Sequence, residues 1–355
     1  MFIGISITII LVLLGLLVKK SKLIFFLQGL WIWLLTAFNC GGIDYENNKE
    51  IFLASGNSIK LGKSGYCDYL LSVFWHKMNW QYASYCIFLS TIAILLILYI
   101  VKNSTMYVCV PLSFFMITLL VDSVIQKRFY IAMCFVLLAF YNRYKSHKAG
   151  FYIALVLALG FHFSVFLYFF LPLMEFLMSK RKKRYIGMYI LAEFLVFKYL
   201  PAIIGKLPLG IIVVKINDYM SQSYTSATTG LLFVLVQGML CMFIMYIEKY
   251  WEDETEDMNH YIMKNNRISL FFLPLLLIGG TFSRYFRVFH IFDFSLIANR
   301  QSRQYARKTI SYYLCYAFII LMVSSTLVLQ LKGEYGIGAY YETVFLHNTV
   351  FDIFN

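Results

Sequence analysis

Three arginines stand where apolar runs of the sequence begin, and their side chains suit an anionic ligand. Arg128 directly precedes the run that starts at Phe129, whereas Arg284 and Arg287 flank a tyrosine-phenylalanine pair. Their i, i+3 spacing predicts that Arg284 and Arg287 share one face of a helix. Planar guanidinium groups hold phosphate oxygens through forked hydrogen bonds, although a single arginine at a helix end often only snorkels to lipid headgroups. The three arginines are therefore candidate diphosphate-binding residues.

Two acidic-aromatic pairs are candidates for catalysis and for sugar binding. Asp44 and Tyr45 follow two glycines, and Asp218 and Tyr219 lie in a later polar stretch. A carboxylate in such a place can act as a general base, bind a sugar hydroxyl or be a solvated loop anion. We take Asp44 as the candidate base. Tyr45, Asp218 and Tyr219 are weaker candidates for contacts with a sugar.

His162 is the remaining candidate catalytic residue. It lies between two phenylalanines, inside an apolar run that also contains Gly160 and Ser164. Such a histidine is either a catalyst or a hydrogen-bonded packing residue at a helix break. The six histidines and seven cysteines show no metal-binding spacing, so we expect neither a metal nor another cofactor.

The elements that must position these residues are membrane helices. The chain has 355 residues, of which 61% are hydrophobic and 14% charged, and its mean hydropathy is +0.71. Because a helix needs roughly 20 apolar residues to cross a bilayer, this length predicts an all-α polytopic membrane protein with about ten to twelve transmembrane or re-entrant helices. We expect one integral membrane domain over residues 1–355, and a partner such as nucleic acid is not needed to explain the net charge of +13.

The distribution of that positive charge predicts the topology, because cytoplasmic loops are rich in Lys and Arg. It places external loops at about 39–81 and 201–228 and an external C-terminal tail at about 332–355. The apolar run 151–178 precedes a basic cluster, so we predict two half-helices that fold back, with a single span as the alternative. The basic clusters predicted to be cytoplasmic are 19–22, 143–148, 180–184 and 300–308.

Four short motifs, in this order among apolar runs, resemble those of the EpsG family of bacterial exopolysaccharide and capsule synthesis proteins, which is similar to the Wzy-type O-antigen polymerases. One departure is Ser64, where many relatives carry a glutamate before the glycine-tyrosine pair, and Asp68 is the substitute carboxylate in this chain. The motifs are Asp44-Tyr45, Arg128-Phe129-Tyr130-Ile131-Ala132, Phe161-His162-Phe163-Ser164 and Arg284-Tyr285-Phe286.

The resemblance implies a metal-independent glycosyltransferase at the outer face of the bacterial cytoplasmic membrane. It would join oligosaccharide repeat units carried on undecaprenyl diphosphate, with membrane lipids and other polysaccharide assembly proteins as further partners. The alternatives are a flippase or transporter of the same lipid-linked oligosaccharide, and a non-catalytic component of an export machine. A transporter should show repeated halves and charges at mid-membrane depth.

Overall fold

The structure is a computed structural model that describes residues 1–55, 65–177, 195, 227–249, 257–277, 280–301, 310–332 and 336–354. Of the described residues, 90% are helical and none belongs to a strand, so the all-α prediction is confirmed. Asp218, Tyr219, the basic cluster 180–184 and most of the cluster 300–308 lie outside the described residues. So does most of the predicted loop 201–228.

The helices are named here in chain order, and short 3-10 or π turns join some of them. The helices are α1 (Phe2–Val18), α2 (Lys22–Ala37), α3 (Ile43–Ser55), α4 (Tyr66–Lys77), α5 (Tyr82–Ser104), α6 (Cys109–Thr118), α7 (Leu120–Ile125), α8 (Lys127–Tyr144), α9 (Lys148–Phe161), α10 (Leu171–Leu177), α11 (Ala227–Lys249), α12 (Asp257–Ser269), α13 (Arg284–Gln301), α14 (Ile310–Lys332) and α15 (Thr343–Phe345).

Three of the described helices are long and apolar enough to cross a membrane: Tyr82–Ser104, Gly230–Lys249 and Ile310–Leu331. Shorter apolar helices such as α1 and α2 match the predicted runs, but the count of about ten to twelve membrane helices is not confirmed. The apolar run 106–125 does not form one continuous helix, because it is interrupted at Leu119, between α6 and α7. In the later apolar run that begins at Ile268, residues Leu270–Leu277 form a 3-10 helix, because Pro274 supplies no backbone N–H for regular α-helical bonding.

Two polar stretches of the sequence contain helices. The segment 39–81, predicted to be an external loop, contains α3 and α4, and the charge-rich segment that follows α11 contains α12. The apolar run 151–178 does break at its polar centre, as predicted. There His162 ends α9 with an extended backbone (φ −149°, ψ 120°). Whether this run re-enters or spans the membrane stays a prediction.

The chain forms two compact units. Unit 1 comprises residues 1–169, 294–306 and 322–355, and unit 2 comprises residues 170–293 and 307–321. The core of unit 1 is built from α1, α2, α5, α6, α8 and α9. Gln28 joins three of these helices, because its side-chain amide donates to Ser113 Oγ at 2.9 Å and to Leu11 O at 3.1 Å. A polar side chain in an apolar bundle thus fixes the register of its neighbours.

Candidate functional site

The candidate site lies in unit 1, where α4 is pressed against the end of α9. Gly65 precedes α4, and a Cβ at this position would overlap the carbonyl oxygen of Gly160. A Cβ at Gly160 would in turn overlap the Cys67 thiol. The two glycines therefore permit a backbone approach that larger residues would prevent. This approach carries the first turn of α4, and with it Asp68, into the interior of unit 1.

Asp68 is a buried carboxylate with two polar partners from other helices. It is 4% exposed. The Tyr85 hydroxyl of α5 donates to Asp68 Oδ1 at 2.6 Å, and Arg128 Nη1 at the start of α8 lies 3.7 Å from Asp68 Oδ2. Burial raises the pKa of the Asp68 carboxyl, while the Arg128 guanidinium and the Tyr85 hydrogen bond act in the opposite direction. The ion pair therefore ties α4 to the first turn of α8.

Lys127, directly before Arg128, is a buried cation. Lys127 is 6% exposed, and its Nζ donates a hydrogen bond to the Asn39 carbonyl oxygen at 2.7 Å. Nζ also lies 5.2 Å from the centroid of the Tyr45 ring, within the range of a cation–π contact. In the part of the chain that the structure describes, no carboxylate lies within 4 Å of Nζ. Two adjacent basic side chains thus lie at the start of α8, one on the Asp68 carboxylate and the other on the Asn39 carbonyl oxygen.

Asp44 and Tyr45 occupy the first turn of α3, where the Tyr45 ring lies over Lys127 Nζ. Tyr45 packs edge-to-face against Tyr82 at a centroid distance of 5.3 Å, and the ring of Phe52, also on α3, lies 5.2 Å from the Tyr82 ring. Burial raises the pKa of Tyr45 to about 12, so its hydroxyl stays protonated and can donate a hydrogen bond. Asp44 is partly exposed, as a proton acceptor must be to reach a substrate.

His162 lies next to the same helix end, but its ring is engaged locally. Its Nδ1 is 2.6 Å from Ser164 Oγ, and its ring packs edge-to-face on Phe129 at 5.4 Å. The Ser164 contact holds the chain where α9 stops. A catalytic role for His162 stays a prediction.

Arg284 and Arg287 belong to unit 2, where both lie in the first turn of α13. Their i, i+3 relation on one helix is therefore present as predicted. Tyr285 between them stacks on Phe272 with ring centroids 5.1 Å apart and planes 2° apart, which fixes the start of the helix. Arg128 belongs to unit 1, so it and the two later arginines lie in different units.

A buried polar network that the sequence analysis missed lies further along α13. Asp293 is 1% exposed. Each of its two carboxylate oxygens accepts a hydrogen bond of 3.0 Å from Asn266 Nδ2. His290 Nδ1 lies 3.5 Å from Asp293 Oδ2, and His290 Nε2 lies 3.1 Å from Gln237 Oε1. The i, i+3 spacing of His290 and Asp293 within an apolar run was the available signal. The network joins α11, α12 and α13.

The EpsG family model matches residues 22–340. The chain belongs to the EpsG family. No curated protein and no solved structure matches it. The matched stretch contains α4, α5 and α8, which carry Asp68, Tyr85 and Arg128. The candidate site therefore lies within residues 22–340.

Within this EpsG-family protein, the structure thus brings together some of the predicted residues. Arg128 and Tyr45 converge with Asp68 and Lys127 around the start of α8, and Asp44 is the immediate neighbour of Tyr45. The described residues contain no cluster of three or more His, Cys, Asp or Glu side chains able to hold a metal ion. Asp68, predicted only as a substitute carboxylate, and Lys127, the sequence neighbour of Arg128, complete this group.

Proposed function

We propose that this EpsG-family protein is a membrane glycosyltransferase of the polysaccharide polymerase type. Its substrates would be oligosaccharide repeat units carried on undecaprenyl diphosphate at the outer face of the bacterial cytoplasmic membrane. Family membership and the membrane-length helices support this class of protein. Membrane lipids and other polysaccharide assembly proteins are the further partners expected for such an enzyme.

The observation that carries the proposal is the pair of adjacent basic side chains at the start of α8. Arg128 Nη1 lies 3.7 Å from Asp68 Oδ2, and Lys127 Nζ contacts the Asn39 carbonyl oxygen and the Tyr45 ring. An anion that binds beside such side chains stabilises their charged form. A diphosphate is an anion with several oxygens, and it suits the flat guanidinium of Arg128 together with the compact ammonium of Lys127.

The proposed reaction is a substitution at the anomeric carbon of the donor. An acceptor hydroxyl oxygen forms a bond to that carbon, and the bond between the carbon and the diphosphate oxygen breaks. The diphosphate leaves with the bonding electrons, and the acceptor proton passes to the partly exposed carboxylate of Asp44. Arg128 and Lys127 neutralise the charge that develops on the leaving group, so that no metal ion is required.

Asp68 has a different role in this proposal, because it is buried and already paired. It holds the guanidinium of Arg128 through Nη1 and so positions this side chain for the substrate. The Tyr85 hydroxyl fixes the carboxylate in turn. Tyr45, with its protonated hydroxyl, is proposed to contact the sugar next to the diphosphate. Arg284 and Arg287 are proposed as a second pair of phosphate-binding residues in unit 2.

The test uses purified protein and a lipid-linked repeat unit, with electrophoresis to detect a ladder of longer products. Arg128→Lys should remove most of the ladder at normal protein level, because lysine keeps the charge but loses the fork. Arg284→Lys should act similarly and Arg287→Lys more mildly. The matched control is Arg143→Lys, at the opposite end of α8, which should leave the ladder intact.

Two outcomes would contradict the proposal. A full ladder from both Arg128→Lys and Arg284→Lys would show that these arginines serve only as cationic anchors. If wild-type protein binds the lipid-linked repeat unit and yields no longer product, transport of that lipid becomes the better explanation. Addition of EDTA should leave the wild-type ladder unchanged.

A further inference from the structure

The last part of the chain reaches the loop that carries the proposed site. Asn39 and Asn348 form an isolated antiparallel bridge. On one side of it the Cys40 N–H donates to His347 O at 2.8 Å, and on the other side the Thr349 N–H donates to Phe38 O at 3.1 Å. These bonds join segments more than 300 residues apart in sequence.

Buried asparagine side chains reinforce this bridge from both segments. Asn39 Nδ2 donates to Thr343 O at 2.6 Å, and Asn348 Nδ2 donates to Leu35 O at 3.0 Å. Both asparagines are at most 2% exposed. Because buried amides are costly when unpaired, these bonds favour one register of the two segments over any shifted one.

The loop itself has little means of holding its own shape. It consists of Asn39, Cys40, Gly41 and Gly42, and Gly42 has a φ of +96°, which side chains other than hydrogen rarely permit. The C-terminal segment lies directly on both glycines. A Cβ at Gly41 would overlap the Cβ of His347, and a Cβ at Gly42 would come within 2.7 Å of Thr343 Cγ2.

Asn39 also connects this contact to the cationic site. Its carbonyl oxygen accepts the hydrogen bond from Lys127, and its side chain is held by the C-terminal segment. Directly after Gly42 the chain enters α3 at Ile43, with Asp44 and Tyr45 in the first turn. A shift of the loop would therefore move Lys127, Tyr45 and Asp44 relative to one another.

We propose that residues 343–349 form a strap that positions the Asn39–Gly42 loop, and through it Asp44, Tyr45 and Lys127, for the reaction. This inference rests on the proposed function, since it assigns the strap a task in that reaction. The strap lies beyond residue 340, where the match to the family model ends. Its residues are positioning residues, because they act on the site through the loop.

The first measurement is independent of activity. Cys40 is exposed and lies opposite His347 in the bridge, so Cys40 and His347→Cys should form a disulfide on mild oxidation of the membrane-embedded protein. The same oxidation of a Cys40→Ser, His347→Cys double variant should give no such link. Absence of the link in the single variant would overturn the strap, whether or not the protein makes polymer.

The second measurement asks whether the strap serves turnover. Gly41→Ala should push loop and strap apart and lower kcat about 10- to 100-fold, because a displacement of roughly 1 Å costs that much in a positioned site. The KM for the lipid-linked donor should change little, since Arg128 is held separately by Asp68. The control is Gly338→Ala in the same C-terminal segment, where the nearest atom to the new Cβ lies 3.4 Å away at the end of a flexible glutamate.

A relief variant separates positioning from simple loss of folding. Gly41→Ala combined with His347→Gly removes the overlapping Cβ and should recover part of the lost kcat. Normal turnover by Gly41→Ala would overturn the strap, and so would an equal loss in the Gly338→Ala control. If wild-type protein makes no ladder at all, the proposed function fails, while the disulfide result still decides whether the strap docks on the loop.

Discussion

Neutralising both members of the Asp68–Arg128 pair should restore stability without restoring activity. The charged atoms are 3.7 Å apart, and the side chains are 6% and 20% exposed. Two unit charges at this distance attract by about 4 kcal/mol at an effective dielectric constant of about 20, before the cost of desolvation. Loss of one member of a fully buried pair costs about 3–5 kcal/mol. The partial exposure of Arg128 lets water recover some of that loss.

We therefore expect Asp68→Asn to lower the free energy of unfolding by about 2 kcal/mol, since Arg128 cannot release its proton. Arg128→Gln should lower the free energy of unfolding by about 1–2 kcal/mol, because the buried Asp68 carboxylate can take up a proton and become neutral. The double variant carries neither charge and should lose about 1 kcal/mol or less. For a unit of this size each kcal/mol moves Tm by about 2–4 °C, which thermal unfolding in detergent can resolve.

The Arg128→Gln variant should also respond to pH. Burial raises the pKa of the Asp68 carboxyl above that of the unfolded chain, and removal of Arg128 takes away an influence that lowers it. The folded state then binds the proton more tightly than the unfolded state, so stability rises as pH falls. The Tm deficit of Arg128→Gln relative to wild type should consequently shrink on acidification.

The same three variants are then compared in the polymer ladder assay, where all three should lose most product because each lacks the Asp68-held guanidinium. A control cycle on the exposed Lys49–Glu46 pair, 4.0 Å apart, should show coupling of only about 0.5 kcal/mol or less. Additive Tm losses at Asp68 and Arg128 would show that the pair is not formed. Recovery of the ladder in the double variant would show that Arg128 only neutralises Asp68.

Two further predictions concern the base and the topology. Asp44→Asn should lower turnover about 100-fold or more while donor binding and Tm stay near wild type. A normal rate in this variant would show that Asp44 is not the base. Single cysteines at Lys182 and Lys49, in a background with Cys40 and Cys67 replaced by Ser, should differ in labelling by a membrane-impermeant reagent. Equal labelling of both from outside would contradict the re-entrant interpretation of the run 151–178.

Sequence patterns predicted the parts of this protein that depend on near neighbours. The helical pairing of Arg284 and Arg287 follows from spacing alone, and the break at His162 follows from polar residues inside an apolar run. The interruption at Leu119 was not predicted, although the polar residues Thr118, Asp122 and Ser123 lie close to it in the sequence. Polarity also gave a wrong indication where α3 and α4 form, because a helix that is only partly apolar has a hydropathy similar to that of a loop.

The role of Asp68 was harder to predict, because it depends on contacts that close only in the fold. Its partners lie on α5 and α8, and its burial depends on the close approach of Gly65 and Gly160. A carboxylate in a polar stretch looks solvated until those helices are placed. The strap is the extreme case, since Asn39 gives no sign in the sequence that its partner is Asn348.

The discontinuity of unit 1 has a consequence for how the protein is made. Residues 1–169 emerge from the ribosome first, but the unit is completed only by residues 294–306 and 322–355. At about 5–20 residues per second, Asn348 is synthesised roughly 15–60 s after Asn39. During that interval the Asn39–Gly42 loop and the buried amide of Asn39 lack their partners, while all of unit 2 is being inserted. The strap therefore docks on the loop only after unit 2 has been made. A chain that stalls before residue 343 contains Lys127 and Arg128 but lacks the strap that positions the Asn39–Gly42 loop.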